Sequence, residues 1–205
     1  MKMMNVITRK AALAIVSVFA IGSVAQAADQ WVLNLNGGKV DFHAIGKPKM
    51  LKIHGKGGSP KGAFAVNDGK VTGKAIFDLN SLDTGIDMRN SHMKEKYLET
   101  NKHPNATFEI TDIKLPNPMP AGDFEKDVPF KGKLTVKGVP QVISGTAKLS
   151  KAGSTMKGQV EFSTTVKGFQ IDIPSFAGIT MADEVQVQVE FEGPLKKGGQ
   201  SLAKK

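Results

Sequence analysis

The chain has 205 residues, with 28 lysines and arginines against 19 aspartates and glutamates, and no cysteine. The absence of cysteine excludes disulfides, thiolate-ligated zinc, iron–sulfur clusters and a thiol nucleophile. A composition 40% hydrophobic and 23% charged excludes a disordered chain, and the length suits one domain with its own core.

Lys2, Arg9 and Lys10 precede the apolar run Ala11–Val24, and Ala25-Gln26-Ala27 follows with small residues at alternate positions. This order is that of a cleavable secretory signal over residues 1–27. The apolar run is short for about 30 Å of hydrocarbon. The mature chain is expected to begin near Ala28, to be soluble and to reside in a bacterial periplasm. No cysteine stands at the cleavage site to carry a lipid anchor. Export argues against nucleic acid as the partner of the excess positive charge. The lysines are also spread along the chain, without the interleaved aromatics of a nucleic-acid groove. They read as a solvated basic surface, with transient contact to anionic lipid headgroups as the sharper alternative.

From there the pattern is period two, apolar against polar, the mark of half-buried antiparallel strands. Weaker runs cover Trp31–Leu35, Lys39–Ile45, Leu51–Gly55 and Gly62–Asn67. The turn sequence Asn67-Asp68-Gly69-Lys70 predicts a tight hairpin into a strong strand, with Val71, Gly73, Ala75, Phe77 and Leu79 on one face. Alternation is lost over Ser81–Asn105, where one short helix is expected at about residues 87–98 with Asp87 as its N-cap. A strand over Thr107–Leu115 follows, then a surface loop over Pro116–Pro129, which holds four prolines. Phe130–Lys137 and Val142–Ser150 read as strands, and Lys151-Ala152-Gly153-Ser154 as another hairpin turn. Val160, Phe162, Thr164 and Val166 share one face of the next strand. Val185, Val187, Val189 and Phe191 share one face of the last. Residues 194–205 read as a flexible basic tail. The fold class is all-β. The pattern alone fits a sandwich or a barrel, and small inner residues beside phenylalanines fit either a cavity or a filled core.

Chemistry is sparse. His43 and His54 fall on outward-facing positions and His103 in a loop, with no metal-ligand spacing among them. Ser91 and His92 are only sequence neighbours, and no serine has a nucleophile-elbow context. No catalytic residue, metal or cofactor is expected. Arg89 and His92, three apart, share a helix face. They are candidates for gripping a ligand headgroup, since an arginine fork matches phosphate oxygens. The competing role is to bond neighbouring carbonyls and pin the helix.

Three stretches carry a resemblance. They are Ile76 to Gly85; Arg89-Asn90-Ser91-His92-Met93 with Tyr97-Leu98 and His103 to Glu109; and Gly132-Lys133-Leu134-Thr135-Val136-Lys137-Gly138-Val139. In that order they resemble the YceI-like family, over about Trp31 to Gly193. Asn90 stands where the family pattern has aspartate, Asn34 likewise, and Pro140-Gln141 where it has Thr-Lys. The resemblance implies a lipocalin-like, extended eight-stranded antiparallel β-barrel over residues 28–193, with a helix in one connection. It implies a long isoprenoid lipid in the lumen, a quinone or a polyprenyl phosphate, bound by a carrier, store or sensor. The lumen wall would then include Phe42, Phe64, Phe77, Phe108, Phe162, Val187, Val189 and Phe191, with Arg89 and His92 as headgroup candidates. A homodimer is also implied by the resemblance alone. The rival readings are an enzyme acting on an isoprenoid or quinone, and an interaction protein with a filled barrel. A ten-residue strand spans about 33 Å, enough for an extended prenyl chain. Burying one five-carbon unit is worth roughly 3–4 kcal/mol gross.

Overall fold

The computed structural model describes residues 30–47, 52–176 and 179–198. The expected signal segment 1–27, Leu51 and the last residues of the expected tail lie outside them. The strands are β1 (Gln30–Leu35), β2 (Gly37–Lys47), β3 (Lys52–Gly57), β4 (Lys61–Asn67), β5 (Lys70–Asp78), β6 (Asn105–Ile113), β7 (Phe124–Val136), β8 (Val139–Ala152), β9 (Thr155–Thr165), β10 (Ser175–Phe176) and β11 (Ile179–Lys197). Every run expected to be a strand is one. The helix α1 (Asp87–Ser91) continues into a π-helical turn, His92–Tyr97, in the connection between β5 and β6.

All pairings are antiparallel, in the order β1-β4-β5-β6-β7-β8-β9-β11-β2-β3, with β1 also paired to β11. The long strand β11 explains the count. Its C-terminal end pairs with β1, Leu33 opposite Leu195, and the rest pairs with β2, from Gly37 opposite Glu192 to Gly46 opposite Met181. β1 and β2 are thus two halves of one bent stave. β3 and β4, which pair with β2 and β1 respectively, are halves of the next. The result is a closed eight-stave barrel. Its one thin seam lies beside β3, where Lys56 and Asp83 exchange backbone hydrogen bonds of 2.8 Å in both directions.

The hairpin between β4 and β5 turns at Asp68 and Gly69, with φ of 51° and 78°. Both central residues at positive φ match the right-handed twist of the flanking strands. In β5 the expected inner face points inward, and Thr72, Lys74, Ile76 and Asp78 are exposed.

Inside, phenylalanine rings lie over glycines. Phe42 faces Gly55, Phe64 faces Gly73 and Phe191 faces Gly158 as direct cross-strand partners. A Cβ on Gly55 or Gly158 would stand 2.1–2.2 Å from the ring opposite, and one on Gly132 would stand 2.1 Å from Phe108. Each ring covers the bare backbone of its neighbour, the aromatic rescue of strand glycine. Rings held against the wall stay off the barrel axis, so a sequence rich in both Phe and Gly lines a lumen without filling it.

Three expectations need correction. The stretch Pro116–Pro129 is not a free surface loop. Residues 124–129 already belong to β7, and Pro129 is tolerated because β6 pairing stops at Ile113 opposite Phe130. The remainder plugs one barrel end. Met119 is buried in the core, Leu115 donates its N–H to the Gly69 carbonyl, and the Asp123 carboxylate accepts from the Gly153 N–H at 2.8 Å. Buried Lys151 donates to the carbonyls of Ala121 (3.2 Å) and Gly122 (3.0 Å). Secondly, residues 194–197, assigned to the tail, are the end of β11 and close the barrel on β1, with Leu195 in the core. Thirdly, Asp87 is the first helical residue of α1 and not its cap. Ile86 is the N-cap, with no side-chain bond.

The plug gives a prediction. Lys151→Met removes two charge-assisted hydrogen bonds and leaves two carbonyls without their partner, at a cost of about 1–3 kcal/mol. Hydrogen exchange should rise at residues 115–123 before it rises elsewhere.

Candidate functional site

The barrel is hollow. Its lumen holds a cavity of about 620 Å³, within the 300–1,000 Å³ of typical ligand pockets. All eight apolar residues expected on the wall line it: Phe42, Phe64, Phe77, Phe108, Phe162, Val187, Val189 and Phe191. Each is only partly buried although it points inward, so its exposed surface is cavity surface. The lower end is stopped by the 115–123 plug and by Met156, Leu33 and Leu149, all in the main core cluster.

The other end opens at α1. Ile86 and Met88 line the cavity and are 52% and 60% exposed. Met93 and Met181 line the cavity too. The polar groups of an otherwise apolar wall come from Thr84, Arg89, His92 and Tyr97 around the helix, from Thr164 and Thr165 at the end of β9, and from Ser175. The cavity wall is therefore almost wholly apolar, with its few polar residues grouped toward this end.

Both helix candidates line this cavity, but their settings differ. Arg89 donates from Nε to Thr84 Oγ1 (2.9 Å) and from Nη2 to the Thr84 carbonyl (2.8 Å). Asn90 Oδ1 accepts from the Thr84 N–H and hydroxyl, both at 2.8 Å, and its amide donates to Asp83 at 2.7 Å. The Gly85 N–H and the Asn90 amide hold the Asp83 carboxyl below the usual carboxylate range. Arg89 thus pins the helix to the preceding loop. Two of its five N–H donors carry these bonds, and Arg89 is among the residues that line the cavity. Asn90, where the family pattern has aspartate, supplies the amide donor to Asp83 that a carboxylate lacks. His92 is exposed at the rim. Pinning and headgroup contact are compatible in Arg89, which sequence spacing did not show.

Thr164 was legible as an inner residue but not as a site residue. Its hydroxyl is buried and makes no hydrogen bond to the protein. A polar residue inside the series Val160, Phe162, Thr164, Val166 was the available signal. Thr84 had none, because its position depends on the loop fold.

The mouth is braced from outside. Glu99, just past the π-helical turn, pairs with Lys102 at 2.9 Å and with Lys137 on the β7–β8 hairpin. Lys137 first, then Lys102, pushes the Glu99 carboxyl from its ordinary 4.5 down to about 2. A depressed carboxylate stabilises the fold above its unfolded value and loses that contribution as pH falls through the folded value. Stability should therefore drop between about pH 4.5 and about pH 2, and Glu99→Gln should flatten that part of the profile. Thermal melts of both proteins across this window check it.

The YceI-like domain model matches residues 31–193. The chain belongs to the YceI-like family. A UPF0312 protein of Pectobacterium carotovorum is 27% identical over 146 residues, 66% of this chain and 70% of that protein. A UPF0312 protein of Pseudomonas aeruginosa is 30% identical over 125 residues, 58% of this chain and 61% of that protein. The chain thus matches 70% and 61% of the length of these two relatives. Solved structures share the barrel. Burkholderia cenocepacia BcnA superposes with a TM-score of 0.61 at 21% identity, covering 76% of this chain and 96% of that one. A domain from Saccharophagus degradans described as polyisoprenoid binding gives 0.58 at 17% identity, covering 82% and 98%. At such identities these YceI-like barrels establish the shared fold. The resemblance read from the three stretches, and the lipocalin-like eight-stranded barrel it implied, are borne out.

Proposed function

We propose that this YceI-like protein binds a long-chain isoprenoid lipid in its lumen and carries it in the periplasm. The observation that carries the reading is a hollow, phenylalanine-lined cavity closed at one end and carrying its few polar residues at the other. The polyisoprenoid binding description of the Saccharophagus relative supports it. An isoprenoid tail lies along the wall, and its polar head stays at the mouth. A quinone fits that mouth better than a polyprenyl phosphate. Quinone carbonyls accept hydrogen bonds and need only donors, which the remaining Arg89 N–H groups and the Thr164 hydroxyl can supply. A phosphate dianion calls for several cations, and Arg89 is already engaged with Thr84.

The role is binding, not catalysis. Arg89 and His92 at the mouth do not form a nucleophile–base pair, and a hollow lumen argues against a barrel that works through packing alone. Loading follows from the rim. Ile86 and Met88, exposed beside the opening, dip into an anionic membrane surface while Lys94 and Lys96 meet its headgroups.

Native mass spectrometry on untagged protein purified without detergent, followed by organic extraction, tests this. A single adduct of isoprenoid quinone mass is expected. A clean apo mass, with no uptake of added ubiquinone or undecaprenyl phosphate, overturns the reading.

A further inference from the structure

On the outer face of the barrel, far from lumen chemistry, two histidines meet. His43 on β2 and His54 on β3 are direct cross-strand partners. Their Nδ1 atoms lie 2.6 Å apart, with the rings edge to face at a centroid distance of 4.5 Å. Both residues are exposed. Two protonated Nδ1 atoms cannot point at one another at this distance, and two bare lone pairs repel. One ring therefore donates an Nδ1–H to the bare Nδ1 lone pair of the other, which two neutral tautomers allow, and both Nδ1 positions converge on one point that a metal ion could occupy in place of that hydrogen.

We propose that His43 and His54 form a two-imidazole site for a divalent transition-metal ion, Cu²⁺ binding most tightly. Imidazole nitrogen suits Cu, Ni and Zn, and affinity at such sites peaks at Cu²⁺. Bonds of about 2.0–2.1 Å to two ligands at a right angle place their nitrogens about 2.9 Å apart. The rings need to part by only about 0.3 Å, a small rotation for exposed side chains. The strand ladder holds the two backbones, so the chelate is preformed. Among the described residues, no three histidines, aspartates or glutamates are grouped to hold a metal. The ion would therefore take two protein ligands and complete a tetragonal shell with water.

The nearby charges set the strength. Asp41, two residues before His43 on the same outward face, is paired with Lys39 at 3.1 Å. Lys52 and Lys56 flank His54 along β3. On the other side of His43 stands Gln186 of β11, which is neutral. The lysines favour a neutral or singly positive loaded site, as when bound water gives up a proton. On binding, the Nδ1 hydrogen between the rings leaves to solvent and that imidazole takes up a proton at Nε2, so both rings ligate through Nδ1 as neutral imidazoles.

The test is a titration of the untagged full chain with copper sulfate, followed by calorimetry and electron paramagnetic resonance. One ion per chain is expected, with an axial spectrum split by two imidazole nitrogens. His54→Ala should lose one of those nitrogens and bind more weakly, and His43→Ala should do the same. The double variant should lose the spectrum. Both positions are exposed, so circular dichroism should be unchanged in every variant. Absence of stoichiometric binding overturns the proposal, because the pair then makes only a hydrogen bond. An unchanged spectrum in His54→Ala overturns it too, since the ion then sits on other ligands.

Discussion

Val187→Asp is expected to abolish lipid retention while leaving the barrel folded. Val187 lines the cavity midway along β11, opposite Phe162 on one side and Phe42 on the other. It is only partly buried, so in the empty barrel a carboxylate there keeps contact with solvent in the lumen. A prenyl chain entering the cavity would have to strip that water and leave the carboxylate, or its protonated form, against hydrocarbon. Leaving a polar group without a partner costs at least about 3 kcal/mol, which is about a hundredfold or more in affinity. The chain also loses methylene contacts, each worth about 0.8 kcal/mol. Val187→Thr, close in shape, should lose much less. The comparison is made by native mass spectrometry of detergent-free preparations, with ubiquinone added to both. Equal loading of the Asp variant and the native chain would place the ligand outside the lumen.

Gly158→Ala is expected to lower stability strongly. The added Cβ would stand 2.2 Å from Cζ of Phe191, directly opposite across the β9–β11 ladder. The ring then leaves the wall and swings toward the axis, or the strands part. Overpacking of this kind costs about 2–3 kcal/mol, a fall in melting temperature of about 5–10 °C for a domain of this size. A displaced ring also takes up lumen volume, so lipid capacity falls together with stability. The double variant Gly158→Ala/Phe191→Leu has no ring to displace and should recover most of both. Gly122→Ala is the control, because a Cβ there meets nothing within 4 Å. Failure of the double variant to recover would mean that the glycine is needed for its backbone and not for the ring above it.

The sequence by itself determined the strands, their inward faces and the family. Those features rest on period-two alternation and on local turn chemistry, both short-range. The sides taken by Val185 to Phe191 and by Val160 to Val166 follow from the side-chain alternation of a pleated strand. The hairpin at Asp68-Gly69 follows from residues that accept positive φ. The outward aspect of His43 and His54 was legible for the same reason.

Only the tertiary structure decided the rest. Whether the inner residues meet a second sheet or surround a lumen depends on closure, and closure depends on β11 pairing first with β2 and then, through residues 194–197, with β1. Those last residues look like a basic tail because Lys196 and Lys197 are charged and exposed, and local composition does not register pairing with a strand at the other end of the chain. The plug looks like a surface loop because proline marks departure from regular structure, while burial of Met119 depends on where the barrel end lies. The role of Arg89 was open because helical spacing gives a shared face but not the partner on it, and Thr84 comes from the preceding loop. The hollow lumen likewise needed the cross-strand register. A phenylalanine fills space or clears it according to what stands opposite, and here what stands opposite is glycine.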